Sequence, residues 1–421
     1  MISGMFRSAL NPFKTPDARR LATLFAVVYF AQGMWGLPIQ PMTIVLKERG
    51  LSSAAVADFM LISTVPWLIK PVYGLLSDFV PLFGRRRKSY FLIMSALASA
   101  AGVWLALSSE HSYWRLAGWY TAMGFGLAFT DVLTDALMVE NGKPRGLTGA
   151  FQSVQWAAIY TASIGVGLVG GHFAEKRNLH ATFAIAACFP LISMVMAVFF
   201  VHDPRVTIER GAFRETWGAI RSAARSREIW LVAGLIFFFN FSPSFGPAFL
   251  YYQTDVLKFN QQFIGNLASL SSLGYIVGAL LYAPLSRRVP LKTIIVWVIG
   301  LSAVATLGYL LYRDRTSAII IDGTFGVLSM ITQLAFLDLA AKACPPHVEG
   351  TFFALLMSVF NGGTQLSMNV GGRLYDSYGF TPLVFISAVV TALAWVLVPF
   401  VKIDAIERRA REQTATASVT A

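Results

Sequence analysis

Three ionisable residues lie inside apolar stretches where a charge is expensive. Lys70 sits in ISTVPWLIKPVYGLLSDF (62–79), and Asp131 and Asp135 sit in GFGLAFTDVLTDALMVE (124–140). A charged side chain at the centre of a bilayer costs roughly 2.5–3.5 kcal/mol on insertion scales, so an ionisable group at that depth marks a binding or proton-carrying site by default. The two aspartates are one helical turn apart and share a face. Lys70 precedes Asp78 by eight residues, about 12 Å at 1.5 Å per residue. The aspartate stretch ends near Glu140, which puts Asp135 at a depth similar to Lys70. The chemistry this allows is capture of an anion by Lys70 beside carboxylates, Asp131, Asp135 and Glu140, that carry or sense protons. A purely structural salt bridge between the two stretches is the plainer alternative.

A second constellation is uncharged. Asn361, Gln365 and Asn369 recur every four residues in GTFFALLMSVFNGGTQLSMNVGGRLYD (350–376), a polar stripe that in lipid must face protein or water. Arg373 ends the stripe, where it can attract an anionic substrate or snorkel to the interface. The run FFFNFSPSFGPAFLYYQTD (237–255) contains Pro243, Gly246 and Pro247, which must break a helix and free backbone carbonyls, with Asn240 and Gln253 flanking the break. These residues read as a substrate-binding set: Lys70, Asn240, Gln253, Asn361, Gln365, Asn369 and Arg373.

Positioning them requires a membrane. The chain is 56% hydrophobic and only 13% charged, against a soluble norm of about 25% charged. Apolar segments of spanning length lie near 21–45, 52–80, 89–108, 114–140, 147–174, 181–201, 229–256, 262–284, 291–311, 317–341, 349–375 and 381–402. The first is read as a retained span and not as a signal peptide. The cations Arg85, Arg86, Arg87 and Lys88 form a short-loop block that stays cytoplasmic. Counting outward from it orients both termini inside. The net charge of +12 follows from such loops, which speaks for topology and against nucleic acid as a partner. Residues 202–228, polar and dense in charge, divide the chain into halves. The expected organisation is a bundle at 1–201, a cytoplasmic linker at 202–228, a second bundle at 229–402, and a disordered cytoplasmic tail at 403–421.

The halves repeat. Residues 149–175 overlay 350–376 at a constant offset of 201, aligning Gly149, Phe151, Val169, Gly170 and Gly171 with Gly350, Phe352, Val370, Gly371 and Gly372. Repeated halves are expected of transporters, with the substrate held near the midplane. No P-loop or H-E-x-x-H is present, and the five histidines lack ligand spacing. An enzyme, a metal centre and a bound cofactor are therefore not expected, and uphill transport must draw on an ion gradient.

Four blocks resemble the folate-biopterin transporter family of the major facilitator superfamily: KPVYGLLSDFVPLFGRRRKSY (70–90), DVLTDALMVEN (131–141), FSPSFGPAFLYYQTDVLKFNQQFIG (241–265) and CPPHVEGTFFALLMSVFNGG (344–363). The resemblance implies an all-α membrane protein of twelve transmembrane helices in two pseudo-symmetric six-helix bundles, N-in and C-in. It further implies uptake of folate, a pterin or a related organic anion, with protons, by alternating access. Gly74, Asp78, Arg86, Arg87 and Glu349 match the family's conformational-switch positions. Arg85, Lys258, Gln261 and His347 depart from the usual pattern, in loops and at span ends, and leave the ligand open. The alternatives are a transporter of the same fold for an unrelated small molecule, and a non-transporting assembly factor or receptor.

Overall fold

Helix starts in this chain follow ordinary capping chemistry. Thr15 Oγ1 accepts from Ala18 N at 3.1 Å, and Pro16 takes the first helical position, where its missing N–H would have been unpaired anyway. Ser52 and Asn260 cap two further helices in the same way. The structure, a computed structural model, describes residues 13–142, 145, 147–205, 217–218, 220–222, 224–345 and 349–420.

Helix α1 (Pro16–Gly33) passes through a 3-10 turn (Met34–Gly36) into α2 (Ile39–Glu48). Then come α3 (Ser53–Leu68), α4 (Lys70–Phe79), α5 (Lys88–Leu107), α6 (Tyr113–Gly142), α7 (Thr148–Lys176) and α8 (Leu179–Phe200). The second half runs α9 (Arg227–Asn240), α10 (Gly246–Tyr251) with a π-helical turn (Tyr252–Val256), α11 (Gln261–Arg288), α12 (Leu291–Gly308) and α13 (Arg315–Ala343). It ends with α14 (Glu349–Tyr378), α15 (Phe380–Leu393) and its 3-10 extension (Ala394–Phe400), and α16 (Ile403–Thr420). Among the described residues every regular element is helical apart from one isolated bridge between Leu82 and Arg85.

Ten stretches among the described residues are long and apolar enough to cross a membrane. The two further expected spans fail for readable reasons. Residues 229–256 are cut between Asn240 and Gly246, so neither piece is long enough. α14 has the length, but its polar stripe dilutes its hydropathy. Large apolar side chains such as Phe199, Leu280 and Val304 stand exposed, as lipid-facing positions must in a multi-pass membrane protein.

The chain forms two compact units. The first comprises Met1–Pro41 and Val72–Ile208, and the second Met42–Pro71 and Glu209–Ala421. In the first, α5 packs on α6 and α8, and α1 on α7 and α8. In the second, α11 pairs with α13, α12 with α15, and α14 with both α3 and α9. The tail differs from the disorder expected of 403–421. It forms α16, whose Ile403 and Ile406 are buried in the core beside Leu291 and Ile294, because an apolar face at the start of this polar segment has somewhere to go. Glu407, also buried, accepts from Leu291 N at 3.2 Å and so caps α12.

Candidate functional site

In the first unit the basic block is organised by a tight turn. Phe83 and Gly84 both take positive φ (54° and 75°), and Arg85 N donates to Leu82 O at 3.0 Å. The chain thereby doubles back and sets Arg87 at the start of α5, facing the end of α4. Its guanidinium donates from Nη1 to Ser77 Oγ at 2.5 Å, and from Nη2 to Asp78 Oδ1 at 2.5 Å and Glu140 Oε1 at 2.8 Å. The Arg87 side chain is only 5% exposed. Burial pulls its pKa down, but Asp78 and Glu140 more than offset that, and the net shift is upward. Arg87 is a permanent cation. Asp203 Oδ2 accepts from the backbone N of Arg87 (2.7 Å) and Lys88 (2.9 Å), a carboxylate on a helix N-terminus.

Glu140, expected beside the intramembrane aspartates, belongs to this Arg87 centre. Arg86, expected to act alongside Arg87, does not join it, and its Nε is buried without a hydrogen-bond partner among the described residues. The turn admits one arginine to the carboxylates and aims its neighbour elsewhere. Gly74 faces Val132 of α6.

Asp131 and Asp135 share one face of α6, as their spacing requires. Asp131 is 3% exposed. The Tyr29 hydroxyl, from α1, donates to Asp135 Oδ1 and also reaches Asp131. Tyr29 is the partner that spacing could not name. Lys70 opens α4 just after the helix breaks at Ile69 (φ −109°, ψ 20°), between Pro66 and Pro71, and is half-buried in the second unit.

In the second unit the polar stripe of α14 meets α3. Asn369 Nδ2 donates to Asp58 Oδ1, and Arg373 Nη2 donates to the same oxygen at 2.8 Å while its Nε reaches Asn369 Oδ1 at 3.2 Å. One turn on, Asp376 accepts from Ser53 Oγ (2.7 Å), Ser53 N (3.3 Å) and Ala54 N (2.9 Å), capping α3 from another helix. Lys47 donates to Thr254 Oγ1 at 2.9 Å and pairs with Asp255, and Tyr251 Oη donates to Leu51 O at 2.5 Å. Residues 47–58 are thus latched to α10, its π turn and α14. Arg373 is paired here with Asp58. Asn361 and Gln365, further along the stripe, are half-buried, and Leu68 of α3 lies against Gly362.

The break after α9 is satisfied by α14. Ser244 N donates to Ser367 O at 3.2 Å, and Ser367 Oγ donates to Ser244 Oγ at 3.0 Å. A Cβ at Gly371 would fall 1.8 Å from the Ser244 carbonyl oxygen, so only glycine permits this approach. Asn240 turns inward on its own helix, donating to Ile236 O at 2.8 Å. Gln253 is buried and donates to Tyr312 Oη at 2.8 Å. The side chain of Glu349 lies outside the described residues.

Residues 30–401 match the BT1 family. The chain belongs to that family. It is the family to which the four sequence blocks point, and relatives of this chain carry the name folate-biopterin transporter. A folate-biopterin transporter of Synechocystis sp. is 34% identical over 385 residues, covering 85% of this chain and 75% of that protein. A transporter of the POT family superposes with a TM-score of 0.71 at 13% identity, covering 93% and 96% of the two chains. A D-xylose-proton symporter gives 0.66 at 16% identity, covering 90% and 95%. These likenesses show the fold. The BT1-family chain described here is a multi-pass membrane transporter and not an enzyme.

Sequence reasoning on this BT1-family chain passed over Tyr29, Asp58 and Asp376, and also Asp322, which accepts from the Tyr312 hydroxyl at 2.8 Å. Asp58 and Asp322 carry the signal that picks out Lys70, an ionisable side chain within an apolar stretch. Tyr29 carries no such signal, because a membrane tyrosine is ordinary until its partner is known.

Proposed function

We infer that this chain moves folate, a pterin or a related small organic anion across the membrane by alternating access, coupled to protons. Twelve spans, N-in and C-in, form bundles at 1–201 and 229–402 that rock about a central site, joined by the linker 202–228. Lys70 is assigned to the substrate carboxylate, with Asn361, Gln365, Asn240 and Gln253 as polar neighbours. Asp131 and Asp135 are assigned to the proton.

The observation that carries this reading is the pair of carboxylates on α6 held against the Tyr29 hydroxyl within a membrane-spanning helix, one of them almost completely buried. Such groups are retained in an apolar slab where an ion pathway needs them. The name of the Synechocystis relative supports the substrate class. In this reading Arg87, Asp78 and Glu140 form the inward-side switch, together with Gly74, Arg86 and Glu349. The contacts of residues 47–58 with α10 and α14, Asn369 and Arg373 included, form the opposite gate, which opens when its ion pairs part.

The test is uptake of labelled folate and of several pterins into proteoliposomes with an imposed pH gradient. Accumulation should follow the gradient and vanish in Lys70→Ala at equal protein incorporation. Uptake indifferent to the gradient, or an active Lys70→Ala variant, removes the corresponding part of the reading.

A further inference from the structure

Asp322 of α13 is a buried carboxylate for which the mechanism above has no use. It is 8% exposed, and α13 is one of the helices long and apolar enough to span the membrane. Its Oδ2 accepts from Tyr312 Oη at 2.8 Å, and Tyr312 Oη in turn accepts from Gln253 Nε2 at 2.8 Å. Tyr312 is itself fully buried, with its ring against Phe249 and Phe259. The titratable groups facing Asp322 are all tyrosines: Tyr275 from α11, and Tyr309 and Tyr312 at the end of α12. No salt bridge reaches it among the described residues.

We propose that Asp322 is a second proton-carrying carboxylate of this transporter, its proton tied through Tyr312 and Gln253 to the broken helix between α9 and α11. Its role in coupling rests on the proton-driven reading above. The existence of the site does not.

The physical argument is one of compensation. A buried charge is tolerated when it is paired, and the side-chain partner of Asp322 among the described residues is a tyrosine hydroxyl and not a cation. One hydrogen bond does not repay the loss of hydration for a carboxylate, so the neutral acid is the form that this setting tolerates. Protonation requires only that a proton from water bind Oδ1, leaving Oδ2 as a carbonyl that still accepts from Tyr312. The reverse step returns the proton to water.

The link to conformation comes from where Gln253 sits. It lies in the π-helical turn that follows α10, a wide turn of the kind that often marks functional sites. That turn also carries Thr254 and Asp255, the partners of Lys47. A movement of this turn that frees Lys47 also moves Gln253 relative to Tyr312, and the hydroxyl that serves Asp322 then loses its own donor. Opening at residues 47–58 and proton exchange at Asp322 are thereby made one event.

The test is infrared absorption of the full-length chain reconstituted in lipid, without substrate, over a pH series. A protonated carboxyl gives a C=O stretch that titrates away, and this band should be lost in Asp322→Asn. Tyr312→Phe should shift it to higher wavenumber, since a carbonyl accepting one hydrogen bond fewer is stiffer, and Gln253→Leu should shift it less. Tyr312→Phe carries the test should Asp322→Asn fail to fold. A band unchanged by either substitution overturns the proposal. Because no folate is present, failure of folate uptake leaves this result standing, and an unaltered band leaves the folate reading standing.

Discussion

Two arginine centres in this molecule look alike as residue types and differ in burial. In the first unit Arg87 is 5% exposed and held by two carboxylates and a serine. In the second, Arg373 is 58% exposed and shares Asp58, itself 40% exposed, with Asn369. A buried cation that loses its partners becomes an uncompensated charge, costing about 3–5 kcal/mol. An exposed pair is worth about 0–1 kcal/mol and can part at little cost. The first centre therefore parts only at a large cost. The second can let go at little cost, which is what the proposed gate requires.

The comparison can be broken most directly at the buried centre. Replacing both of its carboxylates, Asp78→Asn with Glu140→Gln, strands Arg87 and should lower stability by about 3–5 kcal/mol, read as the loss of thermal or denaturant resistance of the purified protein. Arg87→Ala should cost less, about 1.5–3 kcal/mol, because the charge leaves and the two carboxylates, both more than a third exposed, can hydrate. If Arg87→Ala proves worse than the double variant, the burial argument is wrong.

Asp376→Ala, which leaves Ser52 as the side-chain cap of α3, should cost about 1 kcal/mol, and Asp376→Asn should recover part of it. Arg373→Ala should change stability by less than about 1 kcal/mol yet alter how readily cysteines placed at positions 51 and 251 are labelled by a soluble thiol reagent. Salt sharpens the contrast at the smallest scale. Raising ionic strength should mimic Arg373→Ala in that labelling assay and leave the Arg87 centre unmoved, since exposed pairs are screened and buried ones are not.

The two halves of the repeat show how far sequence reading reaches. Glycines aligned at the offset of 201 do the same work in each: a Cβ at Gly170 would lie 3.3 Å from the Leu37 carbonyl oxygen, where the first long helix breaks after the Met34–Gly36 turn, and Gly371 meets Ser244 at the break after α9. The repeat, Gly371 within it, and the break at Pro243–Pro247 were all legible, because each rests on local sterics or on self-similarity. Asp376 caps α3, a role that depends on Ser53 being 323 positions away in the chain and adjacent in space.

The charged residues divide in the same way. That Asp131 and Asp135 share a face follows from the 3.6-residue period, and no further information is needed. That Tyr29 is what they face does not follow from it. Asp78 and the basic block were visible as near neighbours in the chain, whereas the choice of Arg87 over Arg86 turned on Phe83 and Gly84 adopting positive φ. α16 was misread because a polar tail looks disordered when the isoleucines at its start have no visible surface to bury against.

By itself the sequence determined a polytopic helical protein in two related halves, with its cations in loops and a few ionisable groups kept in apolar helices. The reason is that transfer of side chains to lipid and the geometry of a single helix are properties of short stretches. Only the tertiary structure decided which of those groups are paired, buried or relayed to one another. Burial and hydrogen bonding are set by partners that the chain brings in from hundreds of residues away, and no local pattern records them.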